Sequence, residues 1–181
     1  MDYSTSNAAG LVSALGLPAS HVQVVSYVPP DAEGMLRRYW DAPKQYDVAF
    51  VGAASPRRLK ILAALRQRGV SVLVVRSFAE ERDRMLASAK LLVNIHASED
   101  YTVYETLRCT HVLFTGLPVV SEASQLPLGD FLEAEAEMVP YAQLVDAVVR
   151  AIANYDERRA RLDRLIRQSF PLLFHKWILY F

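Results

Sequence analysis

The feature that most constrains this chain is an alternation: short, almost wholly apolar runs, each followed by a stretch with helical periodicity. Four runs stand out, Val22 to Val28, Tyr46 to Val51, Val70 to Val75 and Leu91 to His96, with shorter ones at Pro118 to Val120 and Glu137 to Val139. Apolar residues at successive positions leave no face for water, so such strands must be covered on both sides. Covered strands separated by helices imply a mostly parallel sheet between two helical layers, an α/β, Rossmann-like three-layer domain. With 181 residues and 52% apolar content, the chain can bury one such domain and has no room for a second full one.

The helices between the runs follow from spacing. Leu59, Leu62 and Leu65 fall on one face of a helix that stops near Gly69, and Val103, Leu107, Thr110 and Phe114 on one that stops at Gly116. Leu144, Val145, Val148 and Ile152 mark a third, and Asp156 to Gln168 an arginine-rich fourth. Pro29, Pro30, Gly34 and Pro43 interrupt regular structure, so residues 1–43 are expected to be a helix-strand tail and linker from a preceding half. Residues 44–169 form the domain, and residues 170–181, opened by Pro171, a final apolar helix. That helix is too short to cross a bilayer and too apolar to stand bare, so it is expected to pack on the domain, a second copy or a missing N-terminal domain.

Charge excludes some partners. Lys plus Arg equals Asp plus Glu at 20 each, so no net field draws nucleic acid or an anionic membrane. The single cysteine, Cys109, lies inside a helical pattern without a flanking base and reads as core, in a chain without internal disulfides. Neither a signal peptide nor a membrane-length apolar stretch is visible, which predicts a cytoplasmic protein. The four histidines lack ligand spacing and no acidic cage is present, so no metal site is expected.

Three stretches carry candidate chemistry. In Phe50-Val51-Gly52-Ala53-Ala54-Ser55-Pro56-Arg57-Arg58, a strand ends in glycine and Ser55-Pro56 starts a helix as cap and first residue. Free N–H groups at a helix start attract anions, and Arg57, Arg58 and Lys60 add charge; an ordinary turn with solvated arginines is the plainer reading. Neither a GxGxxG fingerprint nor a phosphate loop ending in GK[ST] is present. In the second stretch, Asn94 to Glu105, a strand gives way to His96, Glu99, Asp100, Tyr101, Tyr104 and Glu105, at the edge where open α/β sheets hold ligands. Plainer readings are a Glu105–Arg108 helical ion pair, Asp100 or Thr102 as a helix cap, and a structural His96. In the third, Gly116 to Glu122, a buried strand delivers Ser121 and Glu122 to the same edge.

The order of these pieces resembles the C-terminal, nucleotide-sugar-binding domain of GT-B-type glycosyltransferases. The most specific part is Glu81-Arg82-Asp83-Arg84-Met85 through Asn94-Ile95-His96, then Tyr104-Glu105-Thr106-Leu107-Arg108 and Gly116-Leu117-Pro118-Val119-Val120. It is similar to a subgroup found in bacteria and large DNA viruses. The resemblance implies that Glu105 holds the donor ribose, that Glu99 or Asp100 touches the sugar, and that Arg57, Arg58 or Lys60 neutralises the departing diphosphate. Gly52, Ala53, Ser55, His96, Tyr101, Tyr104, Ser121 and Glu122 then line the donor pocket, with Tyr101 or Tyr104 either stacking on the donor or packing. Glu99 and Glu105 stand closer together than the two glutamates of many members. The implied activity is transfer of a sugar from a nucleotide-diphosphate donor, with no further cofactor, to a glycan or other acceptor held by a missing or partner domain. A catalytically inactive nucleotide-binding or interaction module is the alternative, and a different α/β protein, epimerase-like or receiver-type, is a third.

Overall fold

A computed structural model of the chain describes residues 5–22, 27–101, 103–124 and 136–178. Five strands form one parallel sheet: β1 Tyr46–Val51, β2 Val72–Val75, β3 Ala89–Asn94, β4 Val119–Glu122 and β5 Glu137–Val139, in the order β2-β1-β3-β4-β5. The helices are α1 Thr5–Leu15, α2 Ala32–Tyr39, α3 Pro56–Gln67, α4 Ala79–Ala87, α5 Thr106–Leu113, α6 Leu144–Ala153 and α7 Tyr155–Ile178. The three-layer α/β expectation holds.

Two cores follow from the two-residue period of a strand. Val48, Phe50, Leu91, Val93 and Val120 point to the side of α3 and α6 and pack with Ile61, Leu62, Leu65, Leu144, Ala147 and Val148. Their neighbours Ala49, Leu92 and Val119 point the other way, into a core with Met35 and Tyr39 of α2, Leu86 of α4, Cys109 and Val112 of α5 and Leu162 of α7. The chain runs from β1 outward to β2, then returns to place β3 on the other side of β1. Right-handed crossovers in opposite directions send their helices to opposite faces, which is why α3 and α5 lie on different sides. Between the C-terminal ends of β1 and β3 the sheet therefore opens a crevice.

Several boundaries differ from expectation. Residues 29–44, expected as a linker, contain α2, whose Ala32, Met35 and Tyr39 are buried at i, i+3 and i+7. Of the apolar run from Val22 to Val28, Val22, Tyr27 and Val28 lie in no strand, and residues 23–26 are outside the described residues. Leu62 and Leu65 are buried as expected, but Leu59 is 50% exposed, and Arg58 and Ile61 complete the buried face of α3 in its place. Leu107 is likewise exposed, while Thr110 and Phe114 are buried as expected, together with Thr106, Cys109, Val112 and Leu113. β4 runs through Ser121 and Glu122, so these polar residues belong to the strand itself. Finally, α7 passes through Pro171 as one helix; the packing expected of residues 170–181 lies outside the described side chains. Among the described residues no helix is long and apolar enough to cross a membrane.

Candidate functional site

The crevice is furnished by the turn after β1, the loop after β3 and the end of β4. α3 begins as the sequence predicts: Ser55 caps it, its Oγ accepting from the Arg58 N–H at 3.3 Å, with Pro56 as first residue. The Ser55 hydroxyl also lies 3.4 Å from the Ala97 carbonyl, tying this turn to the loop after β3. Gly52 adopts φ +141°, a conformation closed to other residues without strain. A Cβ there would lie 3.3 Å from Arg58 Nη1 and 3.7 Å from Arg108 Nη2, so the bare glycine sits between two guanidinium groups.

Glu105 is the hub. It stands immediately before α5 without capping it, which leaves its carboxylate free to turn toward the sheet. Asn94 Nδ2 donates to Glu105 Oε2 at 2.6 Å and to Ser121 Oγ at 3.1 Å, while Arg108 Nη1 donates to Asn94 Oδ1 at 3.0 Å. Arg58 and Arg108 approach Glu105 Oε1 at 3.6 and 3.5 Å. Burial pushes the Glu105 carboxyl up, but His96, Asn94 and Arg108 outweigh it and hold its pKa below the ordinary value. His96 is 1% exposed, and its Nδ1 lies 3.5 Å from Glu105 Oε2. That separation is a charge contact rather than a formed hydrogen bond, since neither ring nitrogen has a hydrogen-bond partner among the described residues. Burial lowers the imidazole pKa, yet Glu105, Glu122 and the Ala123 backbone raise it above its ordinary value overall.

Arg57 belongs to a second, closed unit. Its guanidinium forms a two-pronged pair with Glu122, with Nη1 donating to Oε2 at 2.6 Å and Nη2 to Oε1. Its Cζ lies 3.8 Å from the centre of the Tyr141 ring, and the Tyr141 hydroxyl donates to the Arg57 carbonyl at 2.8 Å. Glu122 Oε2 also accepts from the His96 backbone N–H at 3.0 Å. Arg58 is fixed by carbonyls, with Nε donating to Ile95 O at 2.8 Å and Nη1 to Ala53 O at 3.1 Å. Three guanidinium groups, of Arg57, Arg58 and Arg108, thus face two carboxylates, the part-buried one of Glu105 and the buried one of Glu122.

The other predicted residues scatter around this centre. Tyr101 is 43% exposed with its ring 5.7 Å from that of His96, whereas Tyr104 is buried in the core under α5. Glu99 is exposed on the loop, where its charge acts on Arg57 and Tyr141. Lys60 is exposed and, among the described residues, makes no ion pair. Asp100 is exposed, and Thr102 lies outside the described residues. Arg108 joins the site as the i, i+3 partner of Glu105 that the sequence suggests, and Asn94, at the polar end of β3, and Tyr141 join it as residues to which the sequence gives no role. Among the described residues, no group of three or more His, Cys, Asp or Glu side chains is placed to hold a metal ion.

Comparison with known structures decides the fold type. The chain resembles the crystal structure of TarM with a TM-score of 0.63 and 12% identity, over 98% of this chain and 42% of that one. That likeness shows a shared fold, a Rossmann-like α/β domain with a parallel sheet. No family model matches the chain. Among curated proteins, the uncharacterized protein L140 of Acanthamoeba polyphaga mimivirus is 41% identical over 127 residues, 66% of this chain and 41% of that protein. From the same virus, L138 is 35% identical over 144 residues and L137 is 36% identical over 175, covering 76% and 93% of this chain. The chain spans 16% of the length of L138 and 23% of that of L137, so these relatives are much longer than the region they share with it.

Proposed function

We propose that this chain is the donor-binding domain of a glycosyltransferase, holding a nucleotide-diphosphate sugar at the crevice between β1 and β3. The observation that carries the reading is the Gly52 turn, where bare backbone lies between Arg58 and Arg108 at the start of α3, with Glu105 behind them. Cleaving a sugar–phosphate bond builds positive charge on the sugar and negative charge on the departing diphosphate. A helix N-terminus and two fixed guanidinium groups stabilise that diphosphate in the transition state. The cluster carries more guanidinium than carboxylate, so an incoming anion meets net positive charge.

The roles within the cluster then separate. Arg58 and Arg108 are the diphosphate ligands, and Glu105 accepts from the ribose hydroxyls. His96 and Asn94 are positioning residues that hold the Glu105 carboxylate charged and aimed. Arg57, engaged by Glu122 and Tyr141, fixes α3 against β4 instead of meeting the donor, and Lys60 is too far out on α3 to be assigned a part. Glu99 and Tyr101, exposed on the rim, are the sugar-side candidates. The acceptor is held by protein outside this chain.

The test is calorimetry against UDP, GDP, dTDP, CDP and ADP and their sugars. Binding by at least one of them is expected, weakened about tenfold or more by Glu105→Gln and by Arg108→Gln, since each loses a charge-assisted hydrogen bond. Absence of binding to every nucleotide at about 1 mM, a level that stabilises any protein of micromolar affinity, sinks the proposal. Donor hydrolysis by the chain distinguishes an enzyme from an inert nucleotide-binding module.

A further inference from the structure

The opposite edge of the sheet holds a cleft of about 570 Å³ that the donor site does not use. It lies where the chain enters β1, and Trp40, Asp41, Lys44, Tyr155, Asp156 and Arg159 line it. Two cations form its inner part. The Arg159 guanidinium rests on the Trp40 indole at 3.5 Å and donates to the Trp40 carbonyl at 2.6 Å. Gly116 makes room for it: a Cβ there would meet the guanidinium at 3.2 Å. Lys44 is half-buried, and its Nζ donates to the Ala87 carbonyl at 2.7 Å.

Neither cation forms an ion pair with a carboxylate among the described residues. Of the acids in the cleft, Asp163 is engaged by Arg167 at 2.8 Å, while Asp41 and Asp156 are exposed. Burial lowers the Lys44 pKa to about 8, and the charge of Arg159 lowers it further against an opposing influence of Asp41. Arg159 is lowered by burial too, against the influence of Tyr155, Asp163 and Asp41. Carbonyl dipoles fix both groups in place without cancelling their charge. Two half-buried cations line one cleft, each with donors to spare and neither in an ion pair, an arrangement that suits an anion.

We infer that this cleft binds a phosphate monoester, its phosphate held between Lys44 Nζ and the Arg159 guanidinium, at the sheet edge opposite Glu105. The volume leaves space beside the phosphate for a small organic group bounded by Trp40 and Tyr155.

Trp40 and Trp177 are the two tryptophans, so Trp177→Phe leaves Trp40 as the sole indole reporter, stacked on one of the proposed ligands. The variant is titrated with glycerol 3-phosphate, with inorganic phosphate and with chloride at matched ionic strength. A saturable Trp40 fluorescence change with the phosphates and none with chloride is expected. Tighter binding of glycerol 3-phosphate supports the monoester, and equal binding overturns it in favour of free phosphate. Lys44→Gln is expected to weaken binding about tenfold, the worth of one charge-assisted hydrogen bond, while Lys44→Arg retains it. Glu105→Gln, at the other edge, leaves this affinity unchanged whether or not nucleotides bind there. Should Lys44→Gln not fold, Asp41→Asn serves instead, and removing that acid is expected to tighten binding. A signal that chloride reproduces, a signal absent altogether, or an affinity indifferent to both Lys44→Gln and Asp41→Asn overturns the inference.

Discussion

The two edges of one sheet handle buried charge in opposite ways. At the C-terminal edge, Arg57 closes on Glu122, and Glu105 gathers Arg58, Arg108 and His96 around it. At the N-terminal edge, Lys44 is held by the Ala87 carbonyl and Arg159 by the Trp40 carbonyl and indole and the Tyr155 side chain, none of them a carboxylate. A carboxylate partner fixes a cation and cancels its charge, whereas a carbonyl fixes it and leaves the charge in place. The first edge is thereby organised in advance of any ligand, and the second keeps a field that a ligand can complete.

Breaking the closed pair is expected to give the largest effect. Glu122→Ala strands a guanidinium whose side chain is only 15% exposed, and a loss of about 3–5 kcal/mol in denaturant unfolding is expected for a buried pair cut on one side. Arg57→Met with Glu122→Leu recovers most of that loss, because no unpaired charge is left behind. If the single and double variants unfold alike, the pair is not what fixes this edge.

A smaller effect probes the carbonyl-held side. Gly116→Ala places a Cβ against Arg159 at a residue with φ +79°, and a loss of about 1–3 kcal/mol is expected from the strain alone. The same change displaces Arg159 from Trp40, so Trp40 fluorescence shifts with it.

pH separates the members of the Glu105 cluster. His96 is raised in the fold, so its contribution is complete below the unfolded value of about 6.5 and disappears as pH rises through the folded one. Glu105 is lowered, so its contribution is complete above about 4.3 and is lost as pH falls through the folded value. The cluster therefore stabilises most at mildly acidic pH, and Glu105→Gln flattens both limbs of the melting temperature against pH.

The smallest effect belongs to Lys44. Its folded pKa of about 8 means that the protonated lysine destabilises the fold at neutral pH, and the penalty is relieved as pH climbs from there toward the unfolded value. Lys44→Met is thus expected to melt slightly higher than the parent at neutral pH, with the gap narrowing in alkali. Saturating phosphate should narrow it as well, by stabilising the parent alone.

The sequence disclosed whatever depended on neighbours along the chain. Ser55-Pro56 announced the start of α3, the apolar runs announced the sheet, and the polar end of β3 announced the crevice. Leu62, Leu65, Thr110 and Phe114 lie on the buried faces that spacing predicts, whereas Leu59 and Leu107, in the first turns of their helices, face outward. α2 was missed because prolines and a glycine flank or enter a helix of eight residues, too short for periodicity to outweigh them. Arg57 with Tyr141, and Asn94 with Ser121, were beyond any local reading, since 84 and 27 residues separate the partners and only the sheet order joins them.

One feature of the fold bears on how such a domain is passed between longer proteins. Because Met35 and Tyr39 share a core with residues of α4 and α7, a portion beginning at Tyr46 would carry all five strands of the described sheet and still lay that core open. Val28 is buried in the same core, so a truncated chain that keeps this packing has to begin at or before that residue rather than at the first strand.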